Sequence, residues 1–177
     1  MTMPHDLAER ARRVKVVILD IDGVMTDGRI VYGIYGEELK FFDVQDGFGI
    51  SLLNRAGIKT VIITAKKTRI VKMRARDMKI ARTYQGYIDK IVPFNKVVRK
   101  FRVKPEEVCF IGDDLIDIPV LKRVGFAVAV PNAVEEVKGS AHYVTSKAGG
   151  RGAVREICDM ILKSQSKWDH VTSKFFK

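Results

Sequence analysis

Cysteine is scarce, with Cys109 and Cys158 the two in a chain of 177 residues, and their spacing shows no Cys-x-x-Cys or Cys/His pattern. That excludes a disulfide framework or a thiolate metal site, and both read as reduced structural residues in apolar surroundings. Proline is also sparse at five, while the apolar share is 46%; the pair excludes disorder, collagen-like repeats and low complexity. Long hydrophobic runs are missing too. Stretches such as Val16–Leu19 and Phe126–Val130 fall far short of the ~18–20 residues that span a bilayer, so no membrane span is expected. The start of the chain carries Asp6, Glu9, Arg10, Arg12 and Arg13 with no apolar core, unlike a secretory signal, and the expected compartment is the cytoplasm. The length fits one domain covering 1–177, since one core commonly serves roughly 100–200 residues.

Acidic residues are nearly absent from one stretch. Between Lys59 and Arg82 stand Lys59, Lys66, Lys67, Arg69, Lys72, Arg74, Arg76, Lys79 and Arg82, against Asp77 alone. The chain as a whole has 32 Lys+Arg and 21 Asp+Glu, a net charge of +11. Such a surplus admits a basic module that binds nucleic acid or an acidic partner. It equally suits a solvated helix face or an anionic small substrate, and no aromatic residues alternate with the cations as single-strand binding requires. The expectation is therefore an anionic small molecule and no nucleic acid, with the binding module kept as the rival.

Four short apolar segments, Val14–Leu19, Lys59–Ile63, Val108–Ile111 and Phe126–Ala129, are β-branched with little alternation, as strands covered on both faces are. Helical patterns separate them at Gly47–Ala56, Lys66–Met78, Lys90–Phe101, Asp114–Arg123 and Ala133–Val137, the last with Asn132 as a candidate cap, and Arg151–Lys163 follows. Arg82–Gln85 and His142–Val144 are candidate further strands. Alternation of this kind predicts an α/β fold, a Rossmann-like parallel sheet sandwiched by helices. One insertion interrupts it after the first strand: residues 29–42 read as two extended arms about the Gly33-Ile-Tyr-Gly36 turn, a β-hairpin. The tail from about 164, with Trp168, Phe175 and Phe176, is expected to be frayed or docked on another subunit.

The chemistry concentrates at two strand ends. Asp20-Ile-Asp-Gly-Val-Met-Thr-Asp-Gly28 leaves the first strand, and Gly112-Asp-Asp-Leu-Ile-Asp117 leaves a later one. Carboxylates emerging from apolar strands need a cation or several donors to offset the loss of water. Hard oxygen ligands from two strand ends suit Mg²⁺, which keeps waters for a phosphate to replace. Taken singly, either set also reads as turn or helix-cap aspartates.

These motifs resemble the haloacid dehalogenase superfamily of phosphatases, with its Asp-x-Asp-Gly and Gly-Asp-Asp motifs. Adding the hairpin, Phe42-Asp-Val-Gln-Asp-Gly-Phe-Gly49 and Gly149-Gly-Arg-Gly-Ala-Val-Arg-Glu156, the segment from Lys15 to Leu162 resembles the 3-deoxy-D-manno-octulosonate 8-phosphate (KDO 8-phosphate) phosphatase family. The resemblance implies a Mg²⁺-dependent phosphomonoesterase acting on an acidic sugar phosphate for outer-membrane polysaccharide synthesis, with a nonulosonate 9-phosphate as the alternative substrate. It implies Asp20 as nucleophile, Asp22 as general acid/base, Thr64 and Lys90 as phosphoryl-binding catalytic groups, and Asp20, Asp113 and the Asp22 carbonyl as Mg²⁺ ligands. Sugar contacts are implied for Asp22, Asp43, Val44, Gln45, Asp46, Gly47, Ser51, Lys66, Arg74, Lys90 and Arg151.

Two positions depart from the family pattern. Ala65-Lys66 stands where Gly-Arg is usual, keeping a cation but losing the bidentate fork, and Ser51 replaces a frequent Arg. The chain also has no room for a large cap domain. The resemblance implies a homotetramer, in which hairpins assemble and a neighbour's C-terminal segment closes the pocket, with Arg151 reaching the adjoining site. Read from its residues alone, Gly149-Gly-Arg-Gly is equally a flexible turn before the last helix.

Overall fold

The computed structural model describes residues 4–176. Its centre is a six-stranded sheet in the order β5-β4-β1-β6-β7-β8, every neighbouring pair parallel. The strands are β1 (Val16–Leu19), β4 (Lys59–Thr64), β5 (Arg82–Gln85), β6 (Val108–Gly112), β7 (Phe126–Ala129) and β8 (Tyr143–Val144). β1, β6 and β7 are buried along their whole length, while the edge strands β5 and β8 are partly exposed. Continuous Val/Ile runs fill the middle of a doubly covered sheet, and polar residues are tolerated at its margins.

The helices are α1 (His5–Arg13), α2 (Val44–Arg55), α3 (Arg69–Asp77), α4 (Ile91–Phe101), α5 (Ile118–Leu121), α6 (Glu135–Lys138), α7 (Ala153–Ser164) and α8 (Trp168–Thr172). Each predicted helix is present within a few residues, except that the expected Asp114–Arg123 helix is divided into a 3-10 turn at Leu115–Asp117 followed by α5. Helix α1 has no counterpart in the sequence reading: with Ala11 its one fully buried residue, its apolar stripe is too narrow to register as a period. α7 buries Val154, Ile157, Cys158, Ile161 and Leu162 at the expected spacing and packs on α2. Cys109 and Cys158 are both buried and free.

Through residue 176 the tail packs on its own chain. α8 and the turn after it fold back on α2, with Val171 and Thr172 buried, the Phe175 ring edge-on to Phe48 at 5.5 Å, and Lys167 Nζ donating to Ala56 O at 3.3 Å. The hairpin exists but is shorter than its flanking segments, with β2 (Val31–Tyr32) pairing antiparallel to β3 (Glu38–Leu39) in a sheet of its own. Among the described residues no helix is long and apolar enough to cross a membrane.

Chain direction fixes where a ligand can sit. From β1 the chain passes to β4 on one side and later to β6 on the other. The carboxyl ends of these central strands therefore bound a crevice at the point where strand order reverses, the usual ligand position in open α/β sheets.

Candidate active site

The three strand ends at that crevice deliver Asp20 after β1, Thr64 closing β4 and Asp113 after β6. They line a cavity of about 260 Å³ together with Asp22 and Lys66. The loop leaving β1 is tied by buried Thr26, whose Oγ1 accepts from the Gly23 and Gly28 N–H groups, each at 3.3 Å. Gly23 has φ +87°, and a Cβ there would stand 1.9 Å from Asp113 Oδ2. Glycine is thus required both for the turn and for the approach of the two acidic loops.

Lys90 lies beneath the cavity at 1% exposure, although its helix-start sequence looks like surface. Its Nζ is 2.5 Å from Asp117 Oδ1 and 3.0 Å from Asp20 Oδ1. Asp117 is fully engaged, for its Oδ2 also accepts from the Asp113 and Asp114 N–H groups at 2.9 and 3.3 Å. Asp20 and Asp113 are not. The Oδ1 atoms of both are buried without a hydrogen bond, the Lys90 approach to Asp20 being an ion pair off hydrogen-bond alignment.

Oxygens of Asp20, Asp113 and Asp117 lie within 4.8 Å of one another. Fully ionised, the three carboxylates would carry two negative charges more than the one ammonium offsets. Burial raises the Asp20 carboxyl above its ordinary range against the pull of Lys90, and burial together with the Asp20 and Asp117 charges raises Asp113. A divalent cation bound by the two unpartnered oxygens would remove both the excess charge and the unmet coordination, so the donor set fits a hard metal such as Mg²⁺. Asp117 serves instead to hold Lys90 and the β6 turn.

Asp22 faces the same cavity, and its Oδ1 accepts from Lys40 Nζ on the hairpin. Burial alone would lower the Lys40 ammonium, but Asp22 and Glu38 reverse that and hold it above its ordinary value. Lys66 reaches Glu38 Oε1 at 3.3 Å.

The remaining predicted residues fall into separate places. Asp43, Val44, Gln45 and Arg151 border an opening of about 490 Å³ with Asp27 and Arg29. Asp43 is also the N-cap of α2, accepting from Gln45 N at 2.6 Å. Gly47, Ser51 and Arg74 line another hollow, of about 520 Å³, and within one chain they do not border the Asp20 cavity. Arg74 there donates from Nη2 to Asp43 O at 3.1 Å and stacks 5.5 Å from the Phe42 ring centre, fixing the entry to α2.

Asp46, expected at the sugar site, has a bond within the fold. It is buried, with Oδ1 accepting from Arg155 N at 2.8 Å, so it caps α7 from a neighbouring helix. Burial raises its carboxyl to about 6, the Arg155 bond opposing and the Asp43 charge adding. An unfolded Asp titrates near ~4, so between ~4 and ~6 the native state alone holds the proton, and stability falls as pH rises through that window by about 3 kcal/mol in all. Asp46→Asn keeps an oxygen for Arg155 and should flatten this slope, leaving the variant more stable than the parent above pH ~7. Urea unfolding across pH checks it, and superimposable profiles would contradict the burial argument.

Asn132 corrects an expectation. It does not cap α6; its Nδ2 donates to Gly23 O and its Oδ1 accepts from Gly149 N, both at 2.8 Å, joining the β1 loop to the Gly149–Gly152 loop. A Cβ on Gly149 would stand 1.8 Å from Gly23 O, so these glycines allow close loop packing rather than mere flexibility. Lys40, Thr26 and Asn132 were the functional-site residues that sequence reasoning missed. Only Lys40 carried a signal, two residues after Glu38 on an extended arm and hence on the same face.

The Lys59–Arg82 cations that favoured a binding module are dispersed over β4, α3 and β5, with Lys59, Lys67, Arg69, Lys72, Arg76, Lys79 and Arg82 exposed. They form solvated faces and leave the buried carboxylates unexplained. A hollow of about 740 Å³ at the opposite end of the strands is bordered by Arg12, Lys15, Lys59 and Lys104 and has no comparable acidic cluster.

Residues 63–157 match the model of the haloacid dehalogenase-like hydrolase family. Over 167 residues the chain is 46% identical to the 3-deoxy-D-manno-octulosonate 8-phosphate phosphatase of Yersinia pestis, covering 94% of this chain and 89% of that protein. Against the Escherichia coli K12 enzyme of the same name the identity is 44%, over 93% and 87% of the two chains. The crystal structure of the Moraxella catarrhalis phosphatase of this name, in complex with magnesium, phosphate and KDO, superposes with a TM-score of 0.95 at 36% identity, covering 98% of this chain and 99% of that one. Fold, motif order and near full-length identity agree, and the chain belongs to the 3-deoxy-D-manno-octulosonate 8-phosphate phosphatase family of haloacid dehalogenase-like hydrolases.

Proposed function

We propose that this chain is a Mg²⁺-dependent phosphomonoesterase that hydrolyses KDO 8-phosphate to KDO and phosphate. The observation that carries the reading is the convergence of unpartnered Asp20 and Asp113 oxygens with buried Lys90 at the switch point of the sheet. The Moraxella relative bound to magnesium, phosphate and KDO supports the choice of ligand.

Asp20, Asp113 and the Asp22 backbone carbonyl would hold the metal, which when bound offsets repulsion between an anionic ester and an anionic nucleophile. An Asp20 oxygen attacks phosphorus as the bond from phosphorus to the sugar oxygen breaks, giving an aspartyl phosphate on Asp20. Asp22 gives its proton to the departing sugar oxygen and recovers one from the water that then attacks phosphorus, as the bond between the Asp20 oxygen and phosphorus breaks to release phosphate and restore the carboxylate. Lys90 neutralises Asp20 and the transferring oxygens from below, and Thr64 offers a hydroxyl donor at the same cavity. Lys66 and Arg151 supply cations and Gln45 and Asp43 polar groups for the sugar acid near the openings they border, with Val44 beside them.

Surface chemistry supports an assembly of several copies. Ile34 and Tyr35 at the hairpin tip are 89% and 88% exposed, and Tyr32 and Phe41 on the two arms are 66% and 64% exposed. Exposed apolar side chains along one hairpin favour burial between copies of the chain, which supports a homotetramer whose hairpins meet. Arg74 contributes by fixing the entry to α2.

Phosphate release from KDO 8-phosphate, a nonulosonate 9-phosphate and common hexose phosphates, with Mg²⁺ and with EDTA, tests the reading. Expected is a preference of at least tenfold in kcat/KM for KDO 8-phosphate, equivalent to ~1.4 kcal/mol, and loss of release in EDTA. Equal rates on all esters, or full activity in EDTA, would overturn it.

A further inference from the structure

The hairpin is a separate two-stranded sheet, so its position over the body of the chain must come from side chains. One of these is unusual. The Lys40 side chain is 1% exposed, more deeply buried than an amine is left without partners, and it reaches two carboxylates, Asp22 and, at 2.7 Å, Glu38. Lys66 at the end of β4 approaches the same Glu38 oxygen at 3.3 Å. The charges alternate in a continuous line: Asp22 from the β1 loop, Lys40 and Glu38 from the hairpin, Lys66 from the β4 loop.

Strand geometry explains the arrangement. Glu38 and Lys40 are two residues apart along an extended arm and point to one side, while Leu39 between them pairs with Val31 and points to the other. A single arm thereby grips both loops that bound the cavity. Lys40 is not itself among the cavity's lining residues, whereas Asp22 and Lys66 are.

We propose that Lys40 is a positioning residue for Asp22, and that the line Asp22–Lys40–Glu38–Lys66 is a latch fixing the hairpin to the catalytic loops. This deepens the phosphatase reading and rests on its assignment of Asp22. Without the ammonium, Asp22 loses the partner that orients its carboxylate, and the hairpin loses its central tie. Lys66, standing where the family usually carries Arg, is then a hairpin anchor as well as a cation beside the substrate. Glu38 accepts from both lysines, so it joins the two halves of the latch without touching Asp22.

Lys40→Met, Lys40→Arg and Glu38→Gln, each in the full chain with Mg²⁺, separate the parts of the proposal. Steady-state kinetics on KDO 8-phosphate and hydrogen exchange of residues 29–42 are the readouts, with thermal melting to confirm folding. Lys40→Met should lower kcat at least about tenfold with KM changed less than about threefold, the pattern for a group that acts in the transition state only. Its hairpin amides should exchange at least about tenfold faster, as expected when a local opening free energy falls. Lys40→Arg should recover most of the exchange protection and part of kcat. Glu38→Gln should speed hairpin exchange while keeping kcat within about threefold, since Lys40 retains Asp22.

Unchanged exchange in Lys40→Met overturns the latch whatever the activity does. A loosened hairpin with parental kcat overturns the positioning role, as does a kcat loss in Glu38→Gln equal to that in Lys40→Met. If Lys40→Met fails to fold, Lys40→Arg and Glu38→Gln carry the same comparison: parental exchange in both overturns the latch. A parent inactive on every phosphate ester would refute the phosphatase reading, and the exchange results would still decide the latch.

Discussion

Asp20→Asn is expected to abolish turnover, with kcat falling by at least ~10³-fold, or about 4 kcal/mol of barrier, while the fold is kept. An amide does not attack phosphorus, so the loss is chemical and not structural. Stability in EDTA should hold or rise, because Asp20 is one of three carboxylates gathered about a single buried lysine and its charge is disfavoured by burial. Added Mg²⁺ should stabilise the parent by about 2.7 kcal/mol at a hundred times its dissociation constant, and the variant much less, since half of the unpartnered oxygen pair is gone. Phosphate-release kinetics and thermal melts with and without Mg²⁺ check both halves. Activity within about tenfold of the parent, ~1.4 kcal/mol, would remove Asp20 from its proposed role.

Lys90→Met should have the largest effect on stability. The side chain is buried and ion-paired to Asp20 and Asp117, and its loss leaves Asp20, Asp113 and Asp117 together without a cation. Breaking one side of a buried pair commonly costs 3–5 kcal/mol, roughly half a small protein's stability, because the surviving charges remain desolvated. Lys90 also sits 5.9 Å from the Phe110 ring centre, so the methionine keeps part of the packing and isolates the charge. Urea denaturation in EDTA should show the full loss, and Mg²⁺ should restore a good part of it by replacing one cation with another. Lys90→Met/Asp117→Asn should be more stable than the single variant. A single-variant loss below about 1 kcal/mol would mean that the carboxylates are already neutral and that Lys90 is not their counter-ion.

These expectations differ in how visible they were in the amino-acid order. The sheet was legible because buried parallel strands are uninterrupted Val/Ile segments, and β1, β4, β6 and β7 fall within two residues of where they were read. Asp20 and Asp113 were legible for the same reason, standing where apolar strands end. Lys90 was not. Its neighbours Asp89 and Ile91 give no local sign of burial, and its place is set by Asp117 on another element. Lys40 and Asn132 were hidden likewise, each defined by bonds to loops distant in sequence. Asp46 holds a bond of the same kind: a carboxylate in a motif-rich segment looks like a ligand group, and its Oδ1 also caps a helix that begins more than a hundred residues later. α1 went unread because its buried face is little wider than Ala11. Patterns of period report burial of a stripe, and they do not report pairing across the fold.

The proposed chemistry is tested most directly by trapping the covalent intermediate. The protein is mixed with Mg²⁺ and KDO 8-phosphate, quenched during turnover, reduced with borohydride and mapped by peptide mass spectrometry. Reduction converts an aspartyl phosphate to homoserine, so the expected result is homoserine at position 20, dependent on substrate and Mg²⁺ and absent when inorganic phosphate and substrate are both omitted. To let the intermediate accumulate, the same experiment is run on Asp22→Asn with a phenolic phosphate ester, whose leaving group departs without an acid while the attacking water lacks its base. Homoserine at another aspartate, or none at position 20 in either protein while the parent is turning over, would contradict the assignment of Asp20 as the group that takes the phosphoryl from the substrate.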